Sequence, residues 1–326
     1  MANPLLLIGD IGGTNARFAL VRPGETGFFS AQTLQCEAFS CVIDAIEAYL
    51  LAVGAASPAG ICLAAAGPVV DNTVQLTNAH WLIDGAELVT HFGARQARIL
   101  NDFEANAFAL PALAARDCVE VGEAGIPVAG DRDYTLCVLG PGTGLGGGGL
   151  RRYDGHMVPV VTEAGHVGFA PETALQDRIW QYLYAANGHV SDEMLVSGPG
   201  FTNLFEAISV ASGAPAERVS PAEIFRRDAG GDDIARLAVD TFFEILGQAT
   251  SNLVFSLGAF DGAYLMGGIL PRYRNRLLSS TFRHGFENKS AHRALLKRVP
   301  TCLVVHPEPG LLGASAVACR DYESHA

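Results

Sequence analysis

Two stretches of this chain share one design. Residues 5–21, LLLIGDIGGTNARFALV, are two apolar runs around a short turn that carries Asp10, Gly12, Gly13 and Thr14. Residues 134–152, YTLCVLGPGTGLGGGGLRR, repeat the plan with Thr143 in the turn. Runs of β-type composition on both sides of a glycine turn predict hairpins, and glycine, having no Cβ, lets the backbone come close to a ligand. Two such units predict two halves of related construction. Exposed N–H groups in a turn suit an anion, yet Asp10 would repel a bare phosphate. A cation between the two, as Mg2+ stands beside nucleotide phosphates, removes the conflict and is a first pointer to phosphoryl transfer. A plain glycine turn joining two core strands explains D-x-G-G-T equally well. The second turn is not a Walker A loop, which needs G-K-[ST], nor a Rossmann fingerprint, which needs a helix directly after the glycines.

The chain has 326 residues, 49% of them hydrophobic and 17% charged. That is material for two domains or one divided domain, and too apolar for intrinsic disorder. The net charge is −12, with no dense run of Lys or Arg, which disfavours nucleic-acid binding. The first apolar run is cut at Asp10 and has no basic flank, so it is too short for a signal peptide. No stretch approaches the roughly 18 apolar residues of a membrane span. A cytoplasmic location is expected. The seven cysteines are scattered, without C-x-x-C spacing, so neither a disulfide framework nor a structural zinc is expected.

Along the chain, 40–53 reads as a helix capped by Ser40 and stopped at Gly54, and 61–66 as a buried strand. Alternation of strand and helix predicts an α/β domain with a partly parallel sheet. Residues 67–81 read as a loop, Asp84 as the cap of a short helix to Gly93, and 97–100 as a strand that ends on Asn101-Asp102. Ligands sit beyond the carboxyl ends of such strands, and an amide beside a carboxylate suits a polyol. Asp102 as a mere N-cap of the next helix is the competing explanation. Residues 112–132 read as a hinge or a connector. Glu163 and His166, with Gly165 between them, follow a β-rich run. The flanking valines argue for a loop and a hydrogen-bonding pair over helical metal ligation, and an uninvolved surface histidine remains open. Helices are expected at 172–188 and 199–213, with a short turn from 191. Residues 232–257 predict a long apolar helix interrupted by Gly247, and 301–320 a last strand, a turn and a helix returning to the first domain.

D-I-G-G-T-N (10–15), L-N-D-F (100–103), G-T-G-L-G (142–146), E-A-G-H (163–166), S-x-E (191–193) with S-G-P-G (197–200), M-G-G-I (266–269) and P-G-L-L-G (309–313) resemble, in order and spacing, the ATP-dependent bacterial glucokinases of the hexokinase, actin and Hsp70-like ATPase superfamily. The resemblance covers nearly the whole chain. It implies an α/β, ribonuclease-H-like (actin-like ATPase) fold in two domains, 1–112 plus 306–326 and 113–305, with the active site in the interdomain cleft, and a homodimer. It also implies ATP and Mg2+ as cofactors and glucose as substrate. By the same resemblance Gly9, Asp10, Ile11, Gly12, Gly13 and Thr14 form the first phosphate loop, with Asp10 supporting Mg2+. Gly142, Thr143 and Gly144 form the second, and Gly267 and Gly268 the adenosine loop. Asn101, Asp102, Glu163, His166 and Glu193 hold the sugar, with Asp102 as catalytic base.

Two departures stand out: Ala164 where close relatives often carry glycine, and Gly147–Gly149 in place of bulkier residues. The cysteine-rich zinc motif that follows E-x-G-H in the ROK sugar kinases is missing, as is a helix-turn-helix extension, which argues for the non-ROK branch. Transfer of the γ-phosphoryl group of MgATP to the glucose 6-hydroxyl is the expected reaction. A kinase for fructose, mannose or an N-acetyl-hexosamine, and a non-transferring ATPase of the same fold, are the alternatives. Four clustered hydroxyl-binding candidates favour a kinase over an ATPase.

Overall fold

The computed structural model describes residues 4–25, 27–76 and 80–324. The chain divides into two compact units, 1–113 with 306–326, and 114–305.

In the first unit, β1 (Leu6–Ile11) and β2 (Asn15–Val21) form the expected hairpin, paired from Leu6↔Val21 to Ile11↔Ala16. With β3 (Phe29–Gln35), β4 (Gly60–Ala65) and β7 (Ala97–Asn101) they make a five-stranded sheet in the order β3-β2-β1-β4-β7. β2 is antiparallel to both neighbours, whereas β1, β4 and β7 run parallel. β5 (Thr73–Gln75) and β6 (Leu82–Asp84) pair apart from that sheet within the expected loop, whose residues 77–79 lie outside the described ones. Both faces of the large sheet are buried, so its central strands read as continuous apolar runs. Leu7, Ile11, Phe18 and Leu63 pack with Ile46 and Tyr49 of α1 (Val42–Val53). The alternate residues Leu6, Ile8, Cys62 and Ala64 are buried too, and α12 (Pro309–Ser324) lies against β1, β4 and α3 (Asp102–Ala109).

Asp84 caps α2 (Gly85–Phe92) as expected, accepting from the N–H groups of Ala86 at 2.7 Å and Glu87 at 3.3 Å. Ser40 does not cap α1. That helix starts at Val42, with Cys41 as an N-cap whose side chain makes no capping bond, so tertiary packing outweighs the local capping preference there.

The second unit repeats the strand plan. β9 (Tyr134–Pro141), β10 (Leu145–Tyr153) and β11 (His156–Thr162) are antiparallel neighbours, and β12 (Gly262–Leu265) and β13 (Thr301–Val304) continue parallel to β9. The order is β11-β10-β9-β12-β13-β8, the same sequence of antiparallel and parallel pairings as in the first sheet with one strand added. That strand, β8 (Cys118–Glu120), corrects the reading of 112–132 as a plain connector: its register Cys302↔Glu120 to Val304↔Cys118 closes the sheet edge.

The unit also holds α4 (Ala174–Asn187), α5 (Glu193–Val196), α6 (Gly198–Ala211), α7 (Pro221–Ala229), α8 (Asp233–Leu257), α9 (Arg274–Leu278), α10 (Phe282–Glu287) and α11 (Arg293–Leu296); α5, α6, α7 and α10 lie against α8, most of which is buried. Gly247 does not interrupt α8. A Cβ at 247 would stand 2.1 Å from the carbonyl oxygen of Phe282, so this glycine admits the backbone of α10 instead of breaking its own helix. All seven cysteines are free thiols, and among the described residues no helix is long and apolar enough to cross a membrane.

Candidate active site

In the first unit the functional candidates gather at the carboxyl ends of the parallel strands. Asp10 pairs with Ala64 of β4, and Ala65 pairs with Asn101 of β7. Asp10 and Asn101-Asp102 are therefore separated by one intervening strand, about 10 Å by the usual strand spacing. Gly9 and Ile11 belong to the sheet core. A Cβ on Gly9 would be 2.7 Å from Leu63 Cδ2, and Ile11 is fully buried. The turn proper is Gly12–Thr14. Gly12 N–H donates to Asn15 O at 2.9 Å, and the described residues offer no acceptor to the N–H groups of Gly13 and Thr14, which leaves two donors for an anion.

Asp10 lies opposite Arg17 in the hairpin, and Arg17 Nη1 comes within 3.6 Å of its Oδ2 while Arg17 Nε approaches Glu308 Oε2 at 3.2 Å. Gly310, in the first turn of α12, brings its backbone so close that a Cβ would stand 2.8 Å from Asp10 Cγ. Burial pushes the Asp10 carboxyl up to about 6 although Arg17 opposes the shift; Glu308 adds to it.

At the end of β7 the roles of the amide and the acid are the reverse of the simplest expectation. Asn101, not Asp102, caps α3: its Oδ1 accepts from Phe103 N–H at 2.9 Å and Glu104 N–H at 3.3 Å, and its Nδ2 donates to Gly67 O at 3.0 Å. Both lone pairs of Oδ1 are taken, so what Asn101 has left is one N–H. Asp102 is the first helical residue, half-buried, with Oδ1 accepting from Phe103 N–H at 3.0 Å.

In the second unit the turn 142–144 likewise joins two antiparallel strands, with a tighter closing bond. Gly142 N–H donates to Gly144 O at 2.7 Å, and Thr143 and Gly144 keep N–H groups without an acceptor among the described residues. Gly267, with φ 98°, packs on the last residues of β9 just before this turn: a Cβ there would be 2.4 Å from Pro141 O. Gly268 beside it is exposed.

The segments carrying Glu163, His166 and Glu193 converge on the residue after the turn. Glu193 Oε2 accepts Leu145 N–H at 2.8 Å. A Cβ on Gly165 would lie 2.1 Å from Leu145 O. The 163–166 loop and the 191–193 turn are joined to each other by Phe169 N–H to Val190 O (3.0 Å) and Asp192 N–H to Val167 O (3.1 Å). Glu163 and His166 are exposed, and His166 N–H donates to Glu163 O at 3.0 Å, closing a single 3-10 turn.

The two departures noted in the sequence fit each other. A Cβ on Gly147 would stand 3.0 Å from the Ala164 methyl, so the glycine in β10 makes room for the alanine in the loop. One residue that motif reading passed over is Asp192. It is 6% exposed, and burial drives its carboxyl up to about 7 against the pull of Lys289. Its place between Ser191 and Glu193 was the available signal.

Comparison with known proteins identifies the class first. The structure of a glucokinase from an Antarctic psychrotroph superposes with a TM-score of 0.89 at 32% identity, covering 97% of this chain and 99% of that one. A ROK hexokinase from Thermus thermophilus shares the fold, at a TM-score of 0.66 and 20% identity, covering 98% and 99% of the two chains. The fold is that of the sugar kinases. The sequence matches the Glucokinase family over residues 7–321 and is 39% identical to the glucokinase of Xylella fastidiosa strain 9a5c, over 98% of this chain and 96% of the relative. The chain belongs to the glucokinase family.

Proposed function

We propose that this ATP-dependent glucose kinase works with the groups gathered at its two hairpin turns and at the end of β7. The observation that carries the assignment is the placement of Asp10 and Asp102 at the carboxyl ends of two parallel strands, β1 and β7, with only β4 between them, the ordinary location of ligands in such sheets. The N–H groups of Gly13, Thr14, Thr143 and Gly144 receive the phosphates of ATP, with Gly267 and Gly268 beside the adenosine. Glu163, His166 and Glu193 hold sugar hydroxyls, and Asn101 adds its single remaining N–H as a donor.

Mg2+ fits Asp10. That ion is commonly held by one or two carboxylates together with phosphates and water, and Asp10 is a partly buried carboxylate whose raised pKa a cation would relieve. Bound there, Mg2+ neutralises phosphate charge during transfer. Asp102 accepts the proton of the 6-hydroxyl as that oxygen bonds to the γ-phosphorus and the bond to the β-phosphate oxygen breaks. The products are glucose 6-phosphate and ADP. The transition state is loose, so most of the protein's contribution is alignment.

The non-ROK branch and the ribonuclease-H-like, two-domain description belong to the same proposal. The repeated strand order of the two sheets supports the latter. Seven free thiols and the use of ATP suit the cytoplasm, and a homodimer is proposed from the family resemblance, with light scattering as its check. The deciding experiment is a coupled ADP-release assay across glucose, fructose, mannose and N-acetylglucosamine, run on the wild type and on Asp102→Asn. ADP release that depends on glucose, and falls by about 10²- to 10⁴-fold in the variant while glucose still binds, is the expected result. Release indifferent to sugar refutes the kinase reading, and near-normal turnover of Asp102→Asn refutes the base.

A further inference from the structure

Leu145 has an apolar side chain and no chemistry of its own, yet its peptide is where three motifs meet. Its N–H donates to Glu193 Oε2 at 2.8 Å. Its carbonyl oxygen faces the backbone of Gly165, where a Cβ would intrude to 2.1 Å. The preceding residue, Gly144, faces the same carboxylate: a Cβ there would lie 2.6 Å from Glu193 Oε2, which would have to shift. On the other side of the turn, Gly198 N–H donates to Gly142 O at 2.8 Å. The segment 193–198 therefore grips the turn 142–145 at both ends, and one of the two grips is a side-chain carboxylate. Among the described residues the other oxygen of that carboxylate, Oε1, has no hydrogen-bond partner.

We infer that Glu193 is the positioning residue of the second phosphate turn, so that sugar and nucleotide binding in this unit share one carboxylate. The inference rests on the proposed role of Glu193 as a sugar ligand and adds a consequence to it. A hydroxyl held by Oε1 restricts the Glu193 side chain, and the restricted side chain fixes Leu145 N–H and with it the N–H groups of Thr143 and Gly144. The cost of ordering the glutamate is met once for two ligands, which makes the binding of each favour the other. Linkage requires the effect to be reciprocal.

The test is calorimetric titration of a non-hydrolysable MgATP analogue into the full-length protein with and without saturating glucose, after glucose binding alone has been measured. In the wild type, glucose tightens the analogue by about tenfold, within the ordinary range for linked sites. Two variants separate the tether from the rest of the site. Gly144→Ala puts a methyl where Glu193 Oε2 now lies. Glu193→Asp keeps the charge but shortens the reach, so one carboxylate no longer serves both partners. In each, the glucose effect on the analogue falls to less than about twofold. Direct damage to nucleotide binding would weaken the analogue equally with and without glucose and leave the ratio intact, and melting curves show that the variants are folded. A wild-type ratio near one, or an undiminished ratio in a folded Gly144→Ala, overturns the inference while leaving the kinase reading standing. Failure of the wild type to bind glucose at all overturns both.

Discussion

Replacing Asp192 by Asn should stabilise the second unit, and more so at high pH. Asp192 is 6% exposed, and its carboxyl titrates at about 7 where an unperturbed aspartate titrates at 3.8. Burial is the larger cause, and Lys289 acts in the opposite sense. A folded-state pKa above the unfolded one means that stability is fully present below pH 3.8 and declines as pH rises toward 7, because the unfolded chain gains an ionisation that the folded chain resists. Each unit of pKa difference is worth about 1.36 kcal/mol, so the penalty is about 1.6 kcal/mol at pH 5 and about 4 kcal/mol at pH 8. Asn is nearly isosteric and does not ionise. Its own burial cost is the same at both pH values and cancels in their comparison. The advantage of Asp192→Asn over the wild type should therefore grow by about 2 to 3 kcal/mol between pH 5 and pH 8. The assay is urea unfolding followed by Trp180 fluorescence in a Trp81→Phe background, which reads α4 of the second unit without the signal of the first. An advantage that is the same at the two pH values refutes the argument.

Two further outcomes are expected. Asp10→Ala should raise the Mg2+ concentration needed for half-maximal turnover, because the carboxylate proposed to hold the ion is lost; a titration of rate against Mg2+ at fixed ATP checks this, and an unchanged curve removes Asp10 from that role. Gly247→Ala should destabilise the protein by about 1 to 3 kcal/mol or more, the usual cost of overpacking, because the methyl would stand 2.1 Å from Phe282 O and push α10 off α8; thermal unfolding measures it.

Much of the strand framework was legible because buried strands announce themselves by composition. ICLAAA reads as a strand between glycines, and β4 spans Gly60–Ala65 with every residue buried. Capping at α2 was legible because Asp84 makes the bond its chemistry favours. What failed were features decided by distant contacts. Gly247 has the composition of a helix breaker and serves as a contact point for α10. The three residues of β8 carry too little pattern to be recognised without β13 beside them. Residues 212–232 contain α7, where Ser220 caps by accepting from Glu223 N–H, a local signal of the kind that sequence carries.

The candidate site divides along a different line. Side chains with chemistry were visible: Asp10, Asn101, Asp102, Glu163, His166 and Glu193 all stand at strand ends or in turns, where a ligand can be met. Which of two adjacent polar residues spends its atoms on the backbone was not visible, because asparagine and aspartate cap helices about equally well. Asn101 does so, and its two occupied lone pairs leave it only an N–H to offer a ligand. Main-chain groups were hidden altogether. Leu145 offers a motif reader only an apolar side chain, while its N–H and C=O are what the glutamate of S-x-E and the glycine of E-A-G-H are built against. Spacing between motifs records that such segments must meet. Only the backbone between them shows that they meet on one peptide, and the proposed tether therefore runs through a main-chain group that no motif records.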